Sequence, residues 1–402
     1  MLICGPLCAV LILFAGPASK LVFGDSAYAG IFVLVCLGSA ANVVLRIPFA
    51  VMRAEEKATR YAVLSLVRGL AGMLMALTLV VGFGTGVAGV VWSQFASQAL
   101  FVLFLLPGIV WGVRWTFSSP VSGQLLSFGT PIVLAGISTF VLNLSDRYFI
   151  KHYASLSEVG IYSLAYNFGD ILVLLVTALR MAYAPFVLSN MKSPHAQQLY
   201  ARVLTYYVVA MGLVTLGVSL LAKEVIAIMA APAYHTAARV VPWVAVAQFL
   251  HGLSFMAPIG FLIKRRPIVR STTVCIAAAI NLCLNFLWIP RYGMMGAAWS
   301  TAASFFAECV LVTGLSLRFY HVPFEVGRIV RAVTVGGALY AAGFWIPEGT
   351  QIAAAVGLKL GLVALYPLLL AGVGFFEPEE VLHAGTLLRS MRMRLGLAVQ
   401  RS

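Results

Sequence analysis

Apolar residues run through this chain in long unbroken stretches, not at every second position and not as a stripe at helical spacing. A helix needs about 20 predominantly apolar residues to cross the hydrocarbon core of a bilayer. Twelve stretches qualify: 1–19, 29–51, 61–82, 86–110, 127–150, 159–183, 199–221, 238–263, 268–289, 295–318, 329–346 and 350–374. Glycine, proline and turn residues separate them, as at Phe83-Gly84-Thr85-Gly86 and Pro347-Glu348-Gly349. None alternates polar and apolar positions as a membrane-barrel strand would over about ten residues. The pattern predicts an all-α, polytopic membrane protein of about 12 transmembrane helices.

Composition removes the alternatives. The 402 residues are 61% hydrophobic and 10% charged, against about 25% charged in an ordinary soluble domain. Too little polar sequence is present to cover a water-facing surface, which excludes a soluble enzyme and a disordered chain. The six cysteines all lie in apolar stretches without CxxC or CxH spacing, so neither a disulfide framework nor a zinc site is expected. Gly84-Thr-Gly86-Val-Ala-Gly89 formally matches a dinucleotide fingerprint. It sits in an uncharged hairpin after a full span, with no acid about 20 positions on, so it is not one. No GxxxxGK[ST] or HExxH occurs either. No cofactor, no metal and no enzymatic activity are expected. The first stretch lacks a basic start, so it reads as a span and not as a signal peptide.

Charge then sets direction. Of 27 Lys and Arg, twenty flank one set of alternate loops, six flank the other, and Lys359 lies within the last stretch. By the positive-inside rule both termini are cytoplasmic and the span count is even. The net charge of +14 is therefore topological, and nucleic acid is not an expected partner. After the last span, Val381, Leu388, Met391 and Leu395 share a helical face beside Arg389, Arg392 and Arg394. This reads as an amphipathic helix on the anionic leaflet.

The chain also repeats itself. Gly86-Val-Ala-Gly89-Val-Val-Trp92-Ser93 and Gly293-Met-Met-Gly296-Ala-Ala-Trp299-Ser300 both read G-x-x-G-x-x-W-S, while Pro48-Phe49-Ala50 faces Pro258-Ile259-Gly260. The copies lie six spans apart and so run in the same direction. Such a parallel repeat makes two pseudo-symmetric lobes about an axis along the membrane normal, as in many alternating-access transporters. The expected organisation is an incomplete first lobe of four helices at 1–112 and a second lobe of six at 127–320. Two additional spans follow at 326–376, then a basic tail at 377–402. Two spans precede the repeated segment in the second lobe and none does in the first. The expectation is that about 60–90 further residues, forming two apolar spans, lie upstream in the same frame.

An ionisable group at mid-bilayer costs at least about 2.5–3.5 kcal/mol and needs a reason. Asp170, His251 and Glu308 fall near the middle of their stretches, Arg68 is inner-central, and Asp146-Arg147 lies toward the outer end of its span. Arg46 and Arg180 sit near inner ends, where they can snorkel. Asn281 and Asn285 stand one turn apart and are read as ties between helices. Lys359 lies outside the repeat. Guanidinium groups pair bidentately with phosphate oxygens, and a carboxylate or histidine can carry a coupling proton. Arg68, Arg147, Arg180 and His251 are thus the candidate substrate-binding residues of a cationic cavity. Asp146, Asp170 and Glu308 are its candidate ion-coupling or cavity acids.

Leu126-Ser-Phe-Gly-Thr-Pro131, Asn143-Leu-Ser-Asp-Arg-Tyr-Phe149, Glu158-Val-Gly-Ile-Tyr-Ser-Leu-Ala-Tyr166 and Ala182-Tyr-Ala-Pro-Phe186 strongly resemble the polysaccharide-biosynthesis flippases. Arg53-Ala-Glu-Glu-Lys-Ala-Thr-Arg-Tyr-Ala62 resembles their inner loop in the first lobe. These proteins belong to the multidrug/oligosaccharidyl-lipid/polysaccharide exporter superfamily. The resemblance implies a V-shaped, MATE-like pair of six-helix lobes. It also implies an oligosaccharide on undecaprenyl diphosphate moved across the bacterial inner membrane, with coupling to an ion gradient. Membrane lipids, a glycan polymerase and chain-length proteins are the partners it implies. Family members carry two helices before the segment that matches this chain's start. A multidrug/cation antiporter of the same superfamily, a membrane-embedded glycan polymerase or transferase, and a non-functional truncated remnant are the alternatives.

Overall fold

The repeated G-x-x-G-x-x-W-S octapeptide does the same backbone work twice. In the computed structural model, which describes residues 4–23, 25–55, 57–111, 118–264, 266–347, 349–377 and 380, its first glycine has positive φ in both copies: 58° at Gly86 and 53° at Gly293. Only glycine takes this left-handed conformation without steric cost. Each second glycine lets the new helix approach the preceding hairpin. A Cβ on Gly89 would collide with the Thr85 side chain, and one on Gly296 would lie 2.5 Å from the Trp288 carbonyl oxygen. The serine that ends each copy is buried and returns its hydroxyl to the helix, Ser93 to Val90 and Ser300 to Gly296, both at 2.8 Å. The motif is a helix-entry device.

Within the described residues, each of the twelve predicted stretches is mainly helical. They form α1 (Cys4–Leu13), α2 (Ala15–Phe23), α3 (Ala29–Ala54), α4 (Ala58–Leu77), α5 (Gly86–Trp111), α6 (Ser119–Tyr153) and α7 (Leu156–Asn190). These are followed by α8 (Ala196–Met229), α9 (Val241–Met256), α10 (Ile259–Ile263), α11 (Pro267–Phe319), α12 (Val326–Gly343) and α13 (Ile352–Gly372). The first stretch divides into α1 and α2, and the eighth breaks at Ala257-Pro258 into α9 and α10. Two stretches merge into α11, whose helical path turns at Gly293. Glu158 accounts for the clean restart there: its Oε2 accepts the Met294 amide at 3.3 Å, placing a carboxylate at the helix N-terminus. Among the described residues no strand occurs, and eight helices are long and apolar enough to cross a membrane. The basic tail from Val381 onward lies outside the described residues.

Gly293→Ala should therefore destabilise the fold. A left-handed alanine costs about 1–2 kcal/mol, and its Cβ would stand 2.7 Å from Glu158 Oε2. Thermal unfolding of the purified protein measures this. An unchanged midpoint would mean that the turn relaxes freely.

The chain divides into two compact units, residues 1–119 and 120–402. In unit 1, α3 packs along α5 and α4 packs on α5, around a small core of Leu45, Phe49 and Phe101. In unit 2, α9 lies against α7, α8 and α11, and α12 and α13 pack on α8. Lipid tails are as apolar as leucine, so helices in a bilayer associate by close packing and interhelical hydrogen bonds. Small buried residues supply the packing: Ala247 on α9 shares a buried cluster with Ala277, Ala278 and Ala302 on α11. The outside is apolar too, with Leu13, Leu21, Met181 and Trp345 largely exposed. This is a surface made for lipid.

Beyond the helix ends, Glu380 joins α12 and α8 through ion pairs to Arg328 at 2.8 Å and Arg202 at 3.5 Å. Burial alone would raise its pKa, yet the Glu377 amide and the Arg328 guanidinium hold it below the ordinary carboxylate range.

Candidate functional site

Unit 2 gathers three of the predicted residues into one cluster. Arg180 comes from α7 and His251 from α9, while Glu308 comes from the half of α11 after Gly293. The other half of α11 adds Arg270. Glu308 is fully buried. Its Oε1 lies 2.9 Å from Arg270 Nη1, an ion pair without hydrogen-bond geometry, and accepts the Ser254 hydroxyl at 3.3 Å. Its Oε2 faces His251 Nδ1 at 3.8 Å, and neither atom has a hydrogen-bond partner. Phe255 is the floor shared by both arginines, with the Arg180 guanidinium 3.5 Å and the Arg270 guanidinium 4.9 Å from its ring centre. Cation–π contact holds such groups without neutralising them.

A cleft of about 40 Å³ opens here, lined by Val173, Val176, Thr177, Arg180, Gln248, His251 and Phe255. That is room for about three waters. Arg180 makes no ion pair to a described residue, so its donors remain available to an oxyanion in this cleft. In the sequence Arg270 is one of the twenty charges flanking the cytoplasmic loops, four residues after Arg266 at the start of its stretch. Its partner is 38 residues away across the Gly293 turn, a distance at which spacing carries no signal.

Asp146 and Arg147 belong to a second cluster with a different character. Asp146 is buried, and its carboxylate accepts the Tyr162 hydroxyl and the Arg147 amide. Arg147 donates to the Asn143 carbonyl at 2.8 Å and to Ser163 at 3.3 Å, and lies over the Tyr166 ring. Nearby, Ser145 on α6 joins Asn281 and Asn285 on α11, the interhelical tie read from their spacing. These groups hold α6 to α7 and α11. Asp170 is exposed on α7 with no ion pair to a described residue. Lys359 of α13 is buried against Glu224 of α8, its Nζ bonding both carboxylate oxygens at 2.6 and 2.7 Å. Sequence spacing gave no hint of that pair.

In unit 1, Arg68 lies 5.3 Å from the Phe49 ring centre. A larger cavity of about 330 Å³ runs between α3 and α5, lined by Gly38, Ser39, Asn42, Arg46, Gln94, Phe95 and Gln98 among others. The repeat explains its wall. Phe95 and Gln98 correspond to Ala302 and Phe305, and Leu34 and Gly38 to Val244 and Gln248. In unit 2, α6 covers the first pair through Leu142, and α7 covers the second pair at Gly169. The unit 1 cavity is the counterpart of a helix-packing surface, so its size is no mark of a ligand site.

Comparison with known proteins agrees with this architecture. A family model described as polysaccharide biosynthesis protein matches residues 1–239. A probable low-salt glycan biosynthesis flippase of Haloferax volcanii is 22% identical over 289 residues, covering 67% of this chain. This chain spans 61% of that relative's length. Among solved structures, lipid II flippase MurJ in an inward closed conformation superposes with a TM-score of 0.69 at 11% identity. That match covers 92% of this chain and 82% of MurJ. A mutant of the Vibrio cholerae MATE transporter VcmN superposes at 0.58 with 16% identity, over 78% and 76% of the two chains. The polytopic all-helical fold is thereby shared.

Proposed function

The chain belongs to the polysaccharide biosynthesis protein family, and from that premise we propose that it is a flippase. Its substrate is an oligosaccharide on polyprenyl diphosphate, which it moves across the bacterial inner membrane for cell-surface polysaccharide assembly. The observation that carries this reading is the Arg180–Phe255–Arg270 arrangement. Two guanidinium groups flank one aromatic floor, and among the described residues only the Glu308 carboxylate forms an ion pair with either of them. A phosphate oxyanion suits those donors. The cleft has room for about three waters, so only phosphate oxygens reach the guanidinium groups there, while the rest of the diphosphate, the glycan and the polyprenyl tail lie outside it. A carrier of organic cations would instead present a free carboxylate in this cleft, and the carboxylate beside it, Glu308, is engaged by Arg270.

Orientation follows the loop charges, with both termini cytoplasmic. An engineered thiol at Ser157 or Gly349 should react with an impermeant reagent added outside, and one at Lys57 should not; labelling at Lys57 would reverse the topology. Function is tested by deleting the gene. Surface glycan should be lost and polyprenyl-diphosphate oligosaccharide should accumulate inside the cell. Unaltered glycan together with new sensitivity to organic cations would overturn the flippase reading in favour of an antiporter.

A further inference from the structure

We infer that one row of α7 is a sugar-binding surface: Asn167 and Asp170 bond hydroxyls of the glycan beyond its first sugar, while phosphate oxygens meet Arg180. This rests on the head-group reading given above. α7 buries Gly169, Leu172 and Val176 against the bundle, and what it leaves outside divides in two. Phe168, Ile171, Leu175 and Leu179 form an apolar row at helical spacing. Asn167, Asp170, Leu174 and Thr177 form a second row, polar except at Leu174, which ends three residues before Arg180. Asn167 and Asp170 are exposed and make no hydrogen bond or ion pair to a described residue. A carboxylate turned to hydrocarbon in the middle of a span is costly, so this row faces water and a solute, not acyl chains.

The row is continuous with the cleft. Thr177 and Arg180 line the cleft from α7, and Gln248 lines it from α9. A Cβ on Gly169 would stand 3.3 Å from Gln248 Cγ, so the α9 wall reaches the turn that carries Asp170. Chemistry then names the solute. A carboxylate offers acceptors alone and an amide offers both donors and acceptors, and hydroxyl groups make short, strong bonds to an ionised acceptor. Residues three apart on a helix stand about 5–6 Å from each other, so Asn167 and Asp170 can hold one hydroxyl-rich ring between them. Leu174, exposed beside them, seats its C–H face. The diphosphate is the wrong partner for Asp170, because ten residues of helix place that carboxylate about 15 Å along α7 from Arg180. Thr177 is one turn from Arg180, and a pyranose unit is comparable in length to one helical turn. The first sugar therefore lies at Thr177, and only later sugars reach Asp170.

The test uses the full chain in lipid nanodiscs and three synthetic ligands: polyprenyl diphosphate, the same lipid with one hexose, and the same lipid with a chain of four. The wild type should bind the four-sugar ligand about tenfold more tightly than the sugar-free one, the worth of a charge-assisted hydrogen bond. Asp170→Leu should abolish that gain. It should leave binding of the sugar-free and one-sugar ligands unchanged, which also shows that the variant is folded. Asp170→Asn keeps one acceptor oxygen and should recover part of the gain. A wild type that binds all three ligands equally, or an Asp170→Leu variant that keeps the gain, would overturn the inference. So would equal weakening of all three ligands by Asp170→Leu, which would place the residue in ion coupling or in the fold. Absence of wild-type binding to the sugar-free ligand would instead overturn the head-group site on which the inference rests.

Discussion

Lys359→Ala should cost about 3–5 kcal/mol of stability, the penalty for stranding a buried charge by removing its partner. Lys359 and Glu224 are each more than nine-tenths buried, and the ammonium bonds both carboxylate oxygens. Without it, the Glu224 carboxylate on α8 would face α13 with neither water nor a counter-charge, and in a bilayer no solvent supplies one. The double variant Glu224→Gln/Lys359→Met removes both charges and should recover most of the loss, since buried pairs are often replaceable by uncharged groups. Thermal unfolding in detergent, comparing the two singles with the double, reads this directly. Singles no worse than the double would show that water reaches the pair. The same comparison reports on α13, because Lys359 and the Tyr366 hydroxyl bond to the Ala332 carbonyl tie that helix to α8 and α12.

Arg180→Ala should lower glycan export about tenfold to a hundredfold with protein abundance unchanged. Each charge-assisted hydrogen bond to a phosphate oxygen is worth about 1.5–3 kcal/mol, and about 1.4 kcal/mol is a factor of ten. Abundance should hold because Arg180 has no ion pair to a described residue and leaves no carboxylate stranded. Arg180→Lys keeps the charge and loses the planar fork, so it should recover only part of the rate. Arg270→Ala should behave differently. It lowers export and also abundance, since Glu308 is left buried without its cation, and Arg270→Ala/Glu308→Ala should restore abundance and not export. Export of lipid-linked oligosaccharide in whole cells, normalised to protein level, checks all four. Wild-type export by Arg180→Ala would remove the cleft from the mechanism.

Hydrophobic run length, glycine position and loop charge depend on residues close together in the chain. The helical class of each stretch and the pairing of Gly86 with Gly293 were therefore legible without coordinates, whereas the splits at Phe14 and Ala257-Pro258 and the merger into α11 were not. The Asn281–Asn285 tie was legible too, because i and i+4 share a helix face. Arg180, His251 and Glu308 were legible as costly residues in apolar stretches, though not as one group. A charge in an apolar stretch shows only that a partner must exist; its identity depends on which helix lies alongside, and in a bilayer that is decided by shape and small-residue packing. Thus the spacing of Asp146 and Arg147 does not show that they bond Tyr162, Ser163, the backbone and each other. Arg270, which read as loop charge, closes on Glu308. The sequence by itself determined a polytopic helical membrane protein with an internal parallel repeat, because lipid imposes its length and polarity rules one span at a time. Only the tertiary structure decided which buried charges meet and which guanidinium groups stay open to a ligand, because those contacts join helices that the chain separates by tens to more than a hundred residues.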